Sequence, residues 1–156
     1  MGLRLLSSTF VDGGKIPQRY TCDGENLSPP LYWEDVPERA KSLALIAEDL
    51  DSPVGTICHW ILYNIPPSNH ELAEGIGRQE APADGTQHGI TTMQRGCYTG
   101  PCPPWGSHRY AFQLYALDTV LTPLGRMSRR RLRRIMEGRV LAQACLTGWY
   151  SRRRSG

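Results

Sequence analysis

Cys97-Tyr-Thr-Gly-Pro-Cys-Pro-Pro-Trp-Gly-Ser-His-Arg-Tyr-Ala-Phe-Gln-Leu-Tyr-Ala-Leu-Asp118 is the stretch around which the 156-residue chain is organised. Its first half holds three prolines and two glycines between Gly100 and Gly106, which excludes a helix interior or a paired central strand. The second half alternates. His108, Tyr110, Phe112, Leu114 and Ala116 share one face, and Arg109, Ala111, Gln113, Tyr115 and Leu117 share the other. The pattern predicts a buried strand that leaves a stiff loop with a histidine at its mouth. Such a loop suits a binding pocket, because it has little conformational freedom to lose when a ligand arrives. An ordinary rigid turn, with His108 satisfied by a neighbour, is the competing reading.

Working outward, Lys41 to Glu48 is apolar on both faces and predicts a strand covered on both sides. It leads through Asp49-Leu-Asp-Ser-Pro53 into a second strand, Thr56 to Ile65, which places Cys58, Trp60 and Leu62 opposite His59, Ile61 and Tyr63. The two strands predict a hairpin or a shared corner, with Asp49 and His59 near one end of the sheet. Residues 1 to 20 read as an edge strand or hairpin, Tyr20 to Pro30 as a long loop, and Trp33 as core. Ser68 to Met93 reads as an irregular connection with at most short strands. Thr122-Pro-Leu-Gly125 breaks the chain again. Ser128 caps a predicted helix through Met136, Gly138 ends it, and a second helix is expected from Val140 to Leu146. The whole, residues 1 to 156, is expected to form a single, mostly β domain.

Charge is distributed unevenly. Residues 1 to 125 hold eight Lys or Arg against fourteen Asp or Glu, while residues 126 to 156 hold ten against one. The basic end, Arg126, Arg129 to Arg131, Arg133, Arg134 and Arg152 to Arg154, could attract anionic lipid or nucleic acid. No aromatic stacking platform accompanies it, so a solvated face balancing the acidic body is the favoured reading, and no nucleic-acid partner is expected. The opening residues do not read as a signal peptide, and no run of about eighteen apolar residues could span a bilayer. A cytoplasmic location is therefore expected. Five cysteines, without CxxC or zinc-type spacing, read as free thiols in a reducing compartment; a Cys22 to Cys102 bridge is the alternative if the protein is exported.

Asp49 with Asp51, His59, and His108 with Tyr110 come from three separated segments, each at a predicted strand end. Walled by Pro53, Pro103 and Pro104, they would form a small cavity with two imidazoles and a carboxylate, suited to holding a small anion. A metal triad, a Cys102–His108 thiol nucleophile and paired Asp49 and Asp51 carboxylates stay open as alternatives. The phosphate-binding Walker loop, the dinucleotide fingerprint and the GxSxG elbow are all missing from the sequence.

These segments resemble the phosphatidylethanolamine-binding protein family, also called Raf kinase inhibitor proteins, in its bacterial and archaeal branch. The resemblance is carried by Tyr20-Thr-Cys-Asp-Gly24 through Ser28-Pro-Pro-Leu31, Asp49-Leu-Asp-Ser-Pro53, His59-Trp60 through Pro66, Gly100-Pro-Cys-Pro-Pro104, His108-Arg-Tyr110 and Gly148-Trp-Tyr150. It implies a two-sheet β fold with C-terminal helices. The implied pocket takes phosphate or phosphoryl headgroups and falls on Asp49, Pro53, His59, Pro104, His108 and Tyr110, with Tyr150 near it. No cofactor, metal or catalytic residue is implied. A homodimer and a regulatory partner such as a kinase are expectations from the same source. The family usually has Asp-Pro-Asp-Ala-Pro where this chain has Asp49-Leu-Asp-Ser-Pro53, so that turn has one proline fewer. A hydrolase using His108 with Asp49 or Cys102 is the alternative function.

Overall fold

The computed structural model describes residues 2–122 and 125–152. The chain break read at Pro123-Leu124, and Arg153 and Arg154 of the basic end, lie outside the described residues. Nine strands and one α-helix are described: β1 (Arg4–Leu6), β2 (Gly14–Lys15), β3 (Leu31–Glu34), β4 (Ser42–Asp49), β5 (Ile57–Ile65), β6 (Glu71–Leu72), β7 (Gln87–His88), β8 (Ser107–Leu117), α1 (Arg129–Met136) and β9 (Val140–Ser151). They form a six-stranded sheet in the order β2-β9-β8-β4-β5-β7 and a small sheet in the order β1-β3-β6. Here the edge element expected in residues 1 to 20 splits. β1 pairs with β3 in the small sheet, and β2 runs parallel to β9 in the large one.

Every residue of β4 is buried, as its two apolar faces require. Leu43, Leu45 and Ala47 pack with Trp33, Trp60, Phe112 and Leu114 in a core beneath the small sheet. Ala44 and Ile46 pack on the other side with Ile61, Tyr63, Leu132 and Met136, so α1 covers the second face. Ser128 caps α1 by accepting a hydrogen bond from the Arg131 amide at 3.2 Å. The helix stops at Glu137, and Gly138 follows at φ 75°, a backbone region that glycine enters without steric cost.

Three readings need correction. The expected second helix, Val140 to Leu146, is the first half of β9, which pairs antiparallel with β8 along its length. Its Leu, Ala and Gln residues favour helix locally, but β8 offers a buried apolar edge with open backbone groups, and pairing outweighs propensities of a few tenths of a kcal/mol (about) per residue. The C-terminal helices therefore reduce to one among the described residues. Cys22 and Cys102 are joined in a disulfide, while Cys58, Cys97 and Cys145 are free. The thiol argument for a reducing compartment loses that pair. Finally, His59 does not share a face with Ile61 and Tyr63. Glu48 pairs with Cys58 and Ala47 with Trp60, leaving His59 as an inserted residue on β5. This bulge turns His59 to the same side as Trp60.

Candidate functional site

The site forms at the end of the large sheet where β4, β5 and β8 meet the proline loop. Asp49 and Tyr110 are direct partners across β4 and β8, so their side chains leave the sheet on one face. His108, two residues back along β8, lies on that same face. Its Nδ1 stands 2.7 Å from Asp49 Oδ2. The bulge in β5 adds His59, whose Nδ1 lies 2.7 Å from the Thr99 carbonyl oxygen. The Tyr110 ring sits between the imidazoles, edge-on to His59 at 5.4 Å and roughly stacked with His108 at 6.4 Å.

Each Nδ1 faces an oxygen acceptor, the Thr99 carbonyl for His59 and the Asp49 carboxylate for His108, so each imidazole donates through Nδ1. Nε2 is left as the nitrogen that binds or releases a proton in each ring. Asp49, His59 and His108 are all buried. Burial holds the His59 pKa below the ordinary histidine value; the Thr99 carbonyl and Asp49 oppose this, and His108 adds to it. Tyr110 is 2% exposed, and its hydroxyl has no hydrogen-bond partner among the described residues. Burial, reinforced by Asp49 and Asp51, raises its pKa, so it stays a neutral donor. The Cys102 backbone opposes that rise slightly, at a geometry short of a hydrogen bond.

These groups line a cavity of about 350 Å³. Its rim is apolar: Pro53, Val54, Met93, Pro103, Pro104 and the largely exposed Trp105. The rim is held from behind. Besides the disulfide, the Cys22 amide donates to the Pro101 carbonyl at 3.1 Å, the Gly100 amide to Asn26 Oδ1 at 2.8 Å, and the Tyr98 hydroxyl to the Tyr20 carbonyl at 2.7 Å. Gly100 is pressed against the Tyr20 carbonyl and Thr21 so closely that a Cβ has no room there. Thus the long loop from Tyr20 is the backing of the proline loop.

Asp49, Pro53, His59, Pro104, His108 and Tyr110 all lie on this cavity. Tyr150 is across the β8–β9 ladder from His108, but its hydroxyl donates to Asp23 at 2.6 Å, beside a separate hollow of about 230 Å³ with Lys15 and Gln18. Asp51 also turns away. It accepts from the Arg109 amide and guanidinium, which bring its pKa down to about 2. Cys102 lines the cavity as half of the disulfide and has no thiolate to offer as a nucleophile. Among the described residues, no three His, Cys, Asp or Glu side chains are gathered as metal ligands. Sequence reasoning missed Thr99, Met93 and Trp105. Trp105, an aromatic inside a proline-rich loop, was the available signal.

The phosphatidylethanolamine-binding protein family model matches residues 6–151. A UPF0098 protein of Methanothermobacter thermautotrophicus is 48% identical over 150 residues, covering 96% of this chain and 99% of its own. The crystal structure of a Chlamydia trachomatis protein described as a phosphatidylethanolamine-binding protein homologue superposes with a TM-score of 0.90 at 39% identity, over 97% of this chain and 99% of that one. Escherichia coli YbcL, described as a member of the mammalian family, superposes with a TM-score of 0.90 at 28% identity, over 98% and 100%. With sequence and fold in agreement over nearly its whole length, the chain belongs to the phosphatidylethanolamine-binding protein family.

Proposed function

We propose that this protein is a receptor for a small phosphate-bearing or otherwise anionic ligand, held in the His59–His108 cavity without turnover and serving a regulatory or inhibitor-like role. The observation that carries the reading is the buried Tyr110 hydroxyl, unpartnered between two imidazoles whose Nδ1 atoms are already committed. A buried hydroxyl without a partner costs about 1–3 kcal/mol. An anion at the Nε2 atoms would accept from it and from both rings. The apolar rim suits a ligand whose anionic head enters the cavity while a less polar part stays at the mouth.

Burial disfavours the protonated form of His59 and a bound anion favours it, so binding takes up protons. Affinity is expected to fall as pH rises through the bound-state histidine pKa, and to level off below the lower free-state value. Calorimetry with sulfate, whose charge is constant across this range, separates the protein's titration from the ligand's; phosphoethanolamine then tests the headgroup. His108→Ala should weaken both. Equal affinity in wild type and His108→Ala, or a pH-independent affinity for sulfate, would reject the reading.

The second reading is hydrolysis, favoured by the 2.7 Å His108–Asp49 contact, which orients the ring as a general base toward a water. Release of product from a phosphoester or ester, abolished in His108→Ala, would support it. The homodimer implied by the resemblance belongs to the same proposal, and light scattering on the purified chain checks it.

A further inference from the structure

On the opposite face of the large sheet, two hollows of about 450 and about 510 Å³ meet at Ser128 and Arg130. The first is lined by Arg126, Arg129 and Arg130 with the hydroxyl-bearing Thr91, Thr92 and Ser128, and the second by Arg130, Arg131 and Arg134. Arg129 and Arg133 are used internally, since both hold the buried Glu48. Among the described residues Arg126, Arg130, Arg131 and Arg134 make no ion pair. Arg126 reaches the Gln94 side chain at 3.2 Å, and Arg131 the Arg126 carbonyl at 3.2 Å.

This arrangement works against the isolated helix. The first turn of α1 carries three arginines and no acidic residue, although the amide end of a helix repels cations. Arg130 and Arg134, one turn apart, repel each other as well. Anionic groups seated in the hollows would reverse both penalties, and guanidinium forks with neighbouring hydroxyls match carboxylate or phosphate oxygens. Among the described residues, no exposed large hydrophobic side chain lines either hollow. The patch therefore lacks an anchor for membrane insertion and a platform for stacking bases.

We infer that the α1 face is a docking surface for an acidic segment of a partner protein, whose carboxylate or phosphate side chains seat against Arg126, Arg130, Arg131 and Arg134. The surface lies on the other side of the sheet from the anion cavity and does not depend on it.

Fluorescence anisotropy with a labelled synthetic peptide of glutamate–serine repeats, and with its phosphoserine version, tests this. The phosphorylated arm separates phosphate from carboxylate recognition. The expected result is binding at about 50 mM salt that weakens about tenfold or more by about 300 mM, as screening demands. Arg130→Glu, at the residue both hollows share, should weaken it at least about tenfold at low salt while raising the thermal midpoint, because an acidic side chain in the first turn suits the amide end of α1 and pairs with Arg134 one turn on. That opposite movement of stability and binding is not what a merely structural role produces. Unchanged sulfate binding in the front cavity checks the fold of the variant. Failure of both peptides to bind at low salt, or equal binding by the charge-reversed variant, would overturn the inference. So would tighter binding to phosphatidylserine vesicles or duplex DNA than to either peptide. Salt-sensitive self-association lost in the variant would assign the face to a second copy of the chain and overturn it too.

Discussion

Glu48 and Asp49 are consecutive residues of β4, both acidic and both buried, yet they leave the sheet on opposite faces and meet different partners. Glu48 is held by Arg129 and Arg133 from α1, with Gln113 completing the set at 3.1 Å. Among the described residues, Asp49 meets His108 Nδ1 at 2.7 Å and accepts from the Asp51 amide at 2.8 Å. An arginine keeps its charge at any working pH, so the first arrangement is a permanent lock. An imidazole gives one N–H to its carboxylate and keeps a second ring nitrogen uncommitted, so the second arrangement leaves a group available to a ligand. The same carboxylate chemistry thus serves cohesion on the helix side and, in the proposed function, recognition on the cavity side.

The largest test of this contrast is Arg129→Ala/Arg133→Ala. Stranding Glu48 as a buried unpaired acid should cost about 3 kcal/mol by urea denaturation, with sulfate binding unchanged. An unaltered midpoint would mean that Glu48 is not locked. Next comes the rim on the cavity side. Cys22→Ser/Cys102→Ser opens a link between residues 80 apart and should remove about 2–4 kcal/mol, but here binding should weaken as well, because the proline loop loses its backing. Loss of stability without loss of affinity would make the bridge purely structural.

Tyr110→Phe sharpens the comparison with a smaller effect. Deleting an unpartnered hydroxyl should leave stability unchanged or raise it by about 1 kcal/mol, while anion affinity falls about fivefold to tenfold. Destabilisation by this variant would show that the hydroxyl has a partner in the empty protein. Smallest of all is Asp51→Asn. The Arg109 side chain is 63% exposed, so solvent screens the pair and the change should stay under about 0.5 kcal/mol at neutral pH. Its carboxyl is depressed from 3.8 to about 2, so this contribution is present above the unfolded value and fades as pH falls through about 2. Acid titration of the wild type and Asp51→Asn reads the difference.

Much of this was legible in the chain. The two apolar faces of residues 43 to 47 announced a covered strand, and alternation from His108 to Ala116 put His108 and Tyr110 on the side later found to face the cavity. Asp49, Pro53 and Pro104 were identifiable because turns and proline loops limit where side chains can point. The fate of Val140 to Leu146 was hidden, since its composition suits a helix and only β8 makes it a strand. His59 was placed on the wrong face because alternation assumes an unbroken ladder, and a bulge has no signature in composition.

By itself the sequence determined the β class of the fold, its paired apolar faces, and the residue types able to hold an anion, because these follow from local periodicity and from the fixed geometry of proline. Tertiary structure alone decided that Cys22 reaches Cys102, that Glu48 is locked by α1 while Asp49 meets His108, and that the Tyr110 hydroxyl has no partner among the described residues. Each of these depends on groups brought together from distant parts of the chain, and such meetings are set by how the sheet, loops and helix pack rather than by any neighbouring residue.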